Sequence, residues 1–162
     1  MGAFTRFLNK IPAKYFRIGL NCWPPLLGAA IKVTYIAPDF KHIKAQMKLH
    51  WYNCNYVGVH YGGSMFSMTD SFYMLMLQKN FSSDYIIWDK AASIDFKKPG
   101  RTTLFAEFIF TDEELQAIKD KAANHEKYLF DKTVDLKDTN GDIIATVVRT
   151  LYVRLKDEAD SV

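Results

Sequence analysis

From Ser64 to Leu77 the chain is apolar on nearly every side: Met65, Phe66, Met68, Phe72, Tyr73, Met74, Leu75, Met76 and Leu77 leave no continuous polar stripe. A helix on a surface needs such a stripe, so a helix here is buried all round. It is too short to cross a bilayer, which takes about 20 apolar residues. The rest of the chain must therefore enclose it. The Gly62-Gly63 step just before it is a natural place for a helix to begin.

The flanking sequence supplies strands to do the enclosing. Residues 31–37 (IKVTYIA) alternate and are β-branched. Residues 42–51 place Ile43, Ala45, Met47 and Leu49 on one face and Lys44, Gln46, Lys48 and His50 on the other, after a turn at Pro38-Asp39. Residues 84–96 and 102–110 flank a turn at Lys97-Lys98-Pro99-Gly100. Residues 127–137 and 142–155 meet across Asn140-Gly141, a strong hairpin signal. Between them, Thr111 and Glu114 form a capping box for a helix over 112–124 whose stripe is Leu115, Ile118 and Ala122. Consecutive strands with hairpins predict an antiparallel sheet and an α+β class, with the sheet curling around the apolar helix.

A chain of 162 residues suits a single domain, 1–162, and can bury about two-thirds of its unfolded surface. Apolar residues at 49% and charged residues at 24% exclude a disordered chain, a fibre and a coiled coil. Aromatics reach 15%, which implies a bulky core, a large oligomer interface, or both. A net charge of +3 is too small for a nucleic-acid binder but suits an anionic small molecule. Cys22 and Cys54 make no disulfide framework, and no His or Cys spacing suggests a metal, so a reducing cytoplasm is the expectation. Residues 1–20 read as an amphipathic helix bent near Pro12, with Ile11, Tyr15 and Ile18 continuing an apolar stripe and Arg6, Lys10, Lys14 and Arg17 on its polar side. That helix packs on the outside of the domain, or lies on a membrane surface. Residues 157–162 read as a frayed acidic tail.

Asp70 is the sharpest single residue. A carboxylate between Met68 and Phe72 on a buried helix is costly unless it is partnered or functional. Asn55 either bonds backbone at a strand end or serves a site, with Asn53 as its rival. Cys54 has no evident base, Gly-x-Ser-x-Gly is absent, and Gly62-Gly63-Ser64 lacks the ending of a P-loop.

The segment Asn55-x-x-Gly58-x-x-x-Gly62-Gly63, followed by Ser64-Met65-Phe66-Ser67-Met68-Thr69-Asp70, resembles the site motif of hotdog-fold acyl-CoA thioesterases, in particular the phenylacetyl-CoA thioesterase-like branch. The chain is also similar to a bacterial group of uncharacterised hotdog proteins, from about Asn21 to Arg154, including Trp88-Asp89-Lys90-Ala91-Ala92 and Phe96 to Arg101. The resemblance implies a hotdog fold: a six-stranded antiparallel sheet around one long central helix, from about Gly63 to Lys79. It implies hydrolysis of an acyl-CoA, with CoA entering only as part of the substrate and with no metal or redox cofactor. A Gly62 or Gly63 N–H would hold the thioester carbonyl. Asp70, eight positions after Gly62, would act as general base or nucleophile from the facing subunit of a homodimer, or of a tetramer. Asn55 would orient water or support the carbonyl. The family places His directly before the two glycines; here Tyr61 stands there and His60 one position earlier, so either could supply the polar group. Lys97, Lys98 and Arg101 would hold the CoA phosphates, and Ser64 and Phe66 would contact substrate. The second reading is a non-catalytic protein of this fold that binds acyl-CoA or an acyl carrier, which the displaced histidine favours.

Overall fold

The computed structural model describes residues 11–124 and 126–157. Helices α1 (Ala13–Cys22) and α2 (Pro24–Gly28) lead into strands β1 (Ile31–Ile36) and β2 (His42–Met47). Two helices follow, α3 (Gly62–Ser67) and α4 (Phe72–Asn80). Then come β3 (Tyr85–Phe96), β4 (Leu104–Ile109), α5 (Asp112–Ala122), β5 (Tyr128–Lys137) and β6 (Ile143–Leu155). The six strands form one antiparallel sheet in the order β1-β2-β4-β5-β6-β3. Between β4 and β5 the only residues in register are Phe105 and Lys137.

The sheet encloses the apolar segment, as its composition demanded. Met65, Met68, Phe72, Met76 and Leu77 are buried against Ile43 and Met47 of β2, Phe108 of β4 and Leu151 of β6. Phe72 and Tyr73 meet the Phe108 ring at centroid distances of 4.8 and 5.2 Å. This is the hotdog fold expected above. The Thr111 capping box is present in both arms: Glu114 N–H donates to Thr111 Oγ1 at 3.1 Å, and Thr111 N–H to Glu114 Oε2 at 3.0 Å. Gly141 turns the β5–β6 hairpin with φ +87°.

The central helix departs from the expected single span, Gly63 to Lys79. It is broken between Ser67 and Phe72, where Ser71 takes φ +68° and ψ −31° and Phe72 N–H donates to Asp70 O at 2.8 Å. That is a γ-turn of the strained, positive-φ kind. The cause is local. Ser67, Thr69, Asp70 and Ser71 crowd one turn with side chains that compete for backbone hydrogen bonds. Thr69 Oγ1 does so, donating to Phe66 O at 2.9 Å.

The N-terminal helix also differs from expectation. Residues 1–10, with Arg6 and Lys10, lie outside the described residues, as do 158–162 of the tail. Pro12 caps α1 rather than bending it, as its fixed φ and missing N–H favour. The predicted stripe faces outward: Tyr15 and Ile18 are exposed, while Ala13 is buried and Phe16 and Leu20 pack against the core. Docking on β1 sets this orientation. Asn21 donates to Val33 O at 3.0 Å and accepts from Val33 N–H at 2.8 Å, so its amide mimics a neighbouring strand. Arg17 donates to Thr34 O at 2.6 Å. One edge of the sheet is thereby covered. The other, β3, is twelve residues long and carries exposed Trp88 and Phe96. Among the described residues no helix is long and apolar enough to cross a membrane.

Candidate active site

The loop from β2 to α3 builds one wall of a cleft. Asn53 is buried and satisfied: its Oδ1 accepts from His50 N–H at 2.7 Å, and its Nδ2 donates to Lys48 O and Ala29 O at 2.8 and 3.0 Å. That pins the loop and leaves Asn53 no spare group for chemistry. Asn55 Oδ1 accepts from Val57 N–H and Val59 N–H at 3.1 and 3.2 Å, holding a turn in which Gly58 takes φ +77°. Only its Nδ2 remains to meet a ligand. His60 N–H then donates to Gly100 O at 2.9 Å, tying the loop to the Lys97–Arg101 turn.

The resulting cleft has a volume of about 410 Å³ and is lined by Asn55, His60, Gly62, Met65, Phe96 and Lys97, with Lys98 and Gly100. The fold thus brings Asn55, His60 and Gly62 from one segment together with Lys97 and Lys98 from another. Helix α3 begins at the cleft. Its first bond, Met65 N–H to Tyr61 O at 3.1 Å, leaves the N–H groups of Gly62, Gly63 and Ser64 without helical acceptors, and no side chain caps them. Six residues make a weak dipole, so these groups count as direct donors. Rings cover both glycines. A Cβ on Gly62 would lie 2.9 Å from Phe96 Cζ, and one on Gly63 would lie 2.4 Å from Tyr61 Cε1. Tyr61 itself is 56% exposed and lies outside the cleft. Ser64 is buried and Phe66 half-buried, and neither lines the cleft.

His60 is buried, with Nε2 2.8 Å from Thr102 O. A carbonyl can only accept, so Nε2 carries the proton. Burial holds the pKa of His60 below its ordinary 6.5, outweighing the Thr102 carbonyl. The neutral ring then presents Nδ1 as a bare acceptor, and that atom is buried without a partner. Nδ1 can therefore only accept, and in this tautomer His60 cannot donate to a thioester carbonyl.

Asp70 lies apart from the cleft, at the break between α3 and α4. Its side chain is 54% exposed and ion-pairs through Oδ1 with Nη2 of Arg149. Arg149 also lies 3.2 Å from Asp89 Oδ2, and its guanidinium sits 5.4 Å from the Phe66 ring centroid. Sequence reasoning missed both Arg149 and Asp89. A signal existed: on β6, Ala145, Val147, Arg149, Leu151 and Val153 share the buried face, so Arg149 is a charge in a core phase. The basic turn is partly neutralised. Lys97 pairs with Asp95, and Lys98 with Asp142 at 3.0 Å, while Arg101 is exposed with no ion pair among the described residues. The described residues hold no group of His, Cys, Asp and Glu able to bind a metal.

PA5026 from Pseudomonas aeruginosa, a protein of unknown function named as a probable thioesterase, superposes with a TM-score of 0.80 at 16% identity, over 90% of this chain and 97% of its own. The thioesterase HI1161 from Haemophilus influenzae gives 0.65 at 11% identity, over 90% and 92%. The PaaI protein of the E. coli phenylacetic acid degradation operon gives 0.60 at 15% identity, over 93% and 99%. No curated protein matches the sequence. At such identities the likeness is one of fold, and the fold is that of thioesterase-like hotdog proteins. The model of the domain of unknown function DUF4442 matches residues 13–153, nearly the whole described chain, and the protein belongs to that family.

Proposed function

We propose that the protein is an acyl-CoA thioesterase, active as a homodimer whose sites combine both subunits. The observation that carries this reading is the cleft itself. It joins unpartnered helix N–H groups at Gly62 and Gly63, a bare acceptor at His60 and a basic rim at Lys97 and Lys98. An acyl thioester needs each of these: donors for the carbonyl oxygen, an acceptor for a water or pantetheine amide, and cations for phosphates. The similarity of the fold to a structure named as a thioesterase and to one named as a probable thioesterase supports the same reading.

The cleft lacks an acid of its own, and Asp70 lies elsewhere on the subunit. The open β3 edge supplies a reason for both facts. The twelve-residue β3 pairs with β6 on one side only, and its outer edge, with exposed Trp88 and Phe96, forms a surface that edge-to-edge pairing with a second copy would cover. Such pairing would let the Asp70 of one copy serve the cleft of the other. Water then attacks the carbonyl carbon, the oxyanion develops against Gly62 and Gly63 N–H, and the C–S bond breaks. Asp70 takes the proton from water and passes it to the departing CoA thiolate. Alternatively its carboxylate attacks first, and water hydrolyses the resulting anhydride. Asn55 Nδ2 supports the carbonyl or the water, and Arg101 is the cation best available to a CoA phosphate. Ser64 and Phe66 would act from behind the glycine step, where the acyl chain enters the subunit boundary.

The test is thiol release from short, medium, long and aryl acyl-CoAs by the wild type and by Asp70→Asn. Release that the substitution abolishes supports hydrolysis. Tight acyl-CoA binding without release supports the second reading, a non-catalytic acyl-CoA or acyl-carrier binding protein, which the His60–Tyr61 arrangement favours.

A further inference from the structure

We propose that Arg149 is a positioning residue for Asp70, clamping Oδ1 of its carboxylate so that Oδ2 is the oxygen presented to the reactants. This deepens the reading of Asp70 as the reacting acid and rests on it.

Arg149 projects from the core face of β6 between Val147 and Leu151, and its side chain is only 4% exposed. Its Nη2 alone serves both Asp70 Oδ1 and Asp89 Oδ2, while Nε and Nη1 are buried without partners. An arginine retained for stability would place its fork on one carboxylate, two nitrogens to two oxygens. This one leaves two buried donors unsatisfied, an arrangement that costs stability. What it achieves is geometry. The Phe66 ring packs against the guanidinium and limits its plane.

The backbone around Asp70 is held from the same cluster. Asp89 lies close enough to the Ser71 amide for that group to favour its charged form, and Ser71 is the centre of the strained γ-turn. Asp89 owes its aim to a bulge, since the β3–β6 register shifts between Asp89 and Ala91. Asp89 thus holds Arg149 from one side at 3.2 Å, and Arg149 fixes the side chain of the residue that leaves the helix. The far oxygen, Oδ2, meets only the Ser71 hydroxyl at 3.3 Å. Strain and unsatisfied polar groups gathered on one half-exposed carboxylate are what a site under functional constraint retains.

Steady-state thiol release by Arg149→Gln and Arg149→Lys tests this. Arg149→Gln is expected to lower kcat on the order of 100-fold, the penalty for a misplaced reacting group, with KM within about twofold. Arg149→Lys is expected to restore part of kcat, because one ammonium reaches one oxygen. A folded Arg149→Gln protein with wild-type kcat overturns the proposal, and so does a loss carried wholly by KM. Should Arg149→Gln fail to fold, Ser71→Gly probes the same device, since glycine accepts the turn without strain. It should melt no lower than the wild type yet turn over more slowly; an unchanged kcat overturns the proposal. Should the wild type release no thiol from any acyl-CoA, the thioesterase reading fails first. The clamp is then read from three-bond NMR couplings of Asp70. One χ1 rotamer in the wild type that becomes averaged in Arg149→Lys upholds the clamp, and averaging already in the wild type refutes it.

Discussion

Three glycines around the cleft should respond differently to the same methyl group. At Gly100 an added Cβ would lie 3.2 Å from His60 Cδ2, 3.3 Å from Ile144 Cγ2 and 3.4 Å from Leu104 Cδ1. All three neighbours are buried, so none can swing aside. Overpacking of this kind costs about 1–3 kcal/mol, and the reduced freedom of the unfolded chain returns about 0.4–1. Gly100→Ala should therefore lose roughly 1–2 kcal/mol, a fall in Tm of about 2–8 °C for a chain of this size. At Gly62 and Gly63 the clashes are closer, 2.9 and 2.4 Å, yet they fall on the exposed rings of Phe96 and Tyr61. Those rings can rotate into solvent. Ala also suits a first helical turn better than Gly, by about 0.5–1 kcal/mol, so stability should stay within about 1 kcal/mol of wild type. Activity should follow the opposite order. Methyls at 62 and 63 would displace the rings that border the N–H groups a carbonyl must approach, so thiol release should be lost in these stable variants. Gly100→Ala should keep measurable turnover. Urea unfolding and thiol release on the same preparations give both readings. Stable Gly62→Ala and Gly63→Ala proteins with wild-type kcat would refute the assignment of this step to the carbonyl.

Other consequences concern stability. Thr111→Ala removes one arm of the capping box and frees the other, and should cost about 1 kcal/mol in urea unfolding. The lowered pKa of His60 means the folded protein binds fewer protons than the unfolded chain below 6.5. The contribution of His60 is complete above that value and is lost as pH falls, so wild-type stability should drop as pH falls through 6.5, and the drop should shrink in His60→Gln. Arg149→Leu strands Asp89, whose pKa burial already raises, and should cost about 3–5 kcal/mol; Arg149→Leu with Asp89→Leu should recover most of it. Trp88→Lys places a charge on the open β3 edge and should shift the sedimentation of the protein towards monomer.

Much of the architecture was legible because one physical cause produced each signal. Alternation marked β1 and β2, since one face of each strand is buried. Thr111 and Glu114 announced α5, since capping is local chemistry. The all-round apolar segment required an enclosing sheet, and the sheet encloses it. What escaped was decided by tertiary pairing. The break at Ser71 falls in the polar run Thr69-Asp70-Ser71, but Arg149, which pairs with Asp70 there, is distant in sequence. The outward turn of Tyr15 and Ile18 follows from Asn21 bonding Val33, a contact no periodicity reveals. For the site, the motif spacing drew attention to Asn55, His60 and Gly62, which share a cleft, and to Asp70, which does not line it. Arg149 was readable only as a charge in a buried phase of β6.

The central claim is a thioesterase site assembled from two subunits, and mixing two inactive variants tests it most directly. Asp70→Asn and Gly62→Val proteins would be unfolded together, refolded as a mixture, and assayed for thiol release from the best acyl-CoA. In a mixed dimer one site carries both defects and the other carries neither. With half the dimers mixed, the account predicts recovery of about a quarter of wild-type activity. A mixture as inactive as its components, beside an active wild type refolded in the same way, would contradict it.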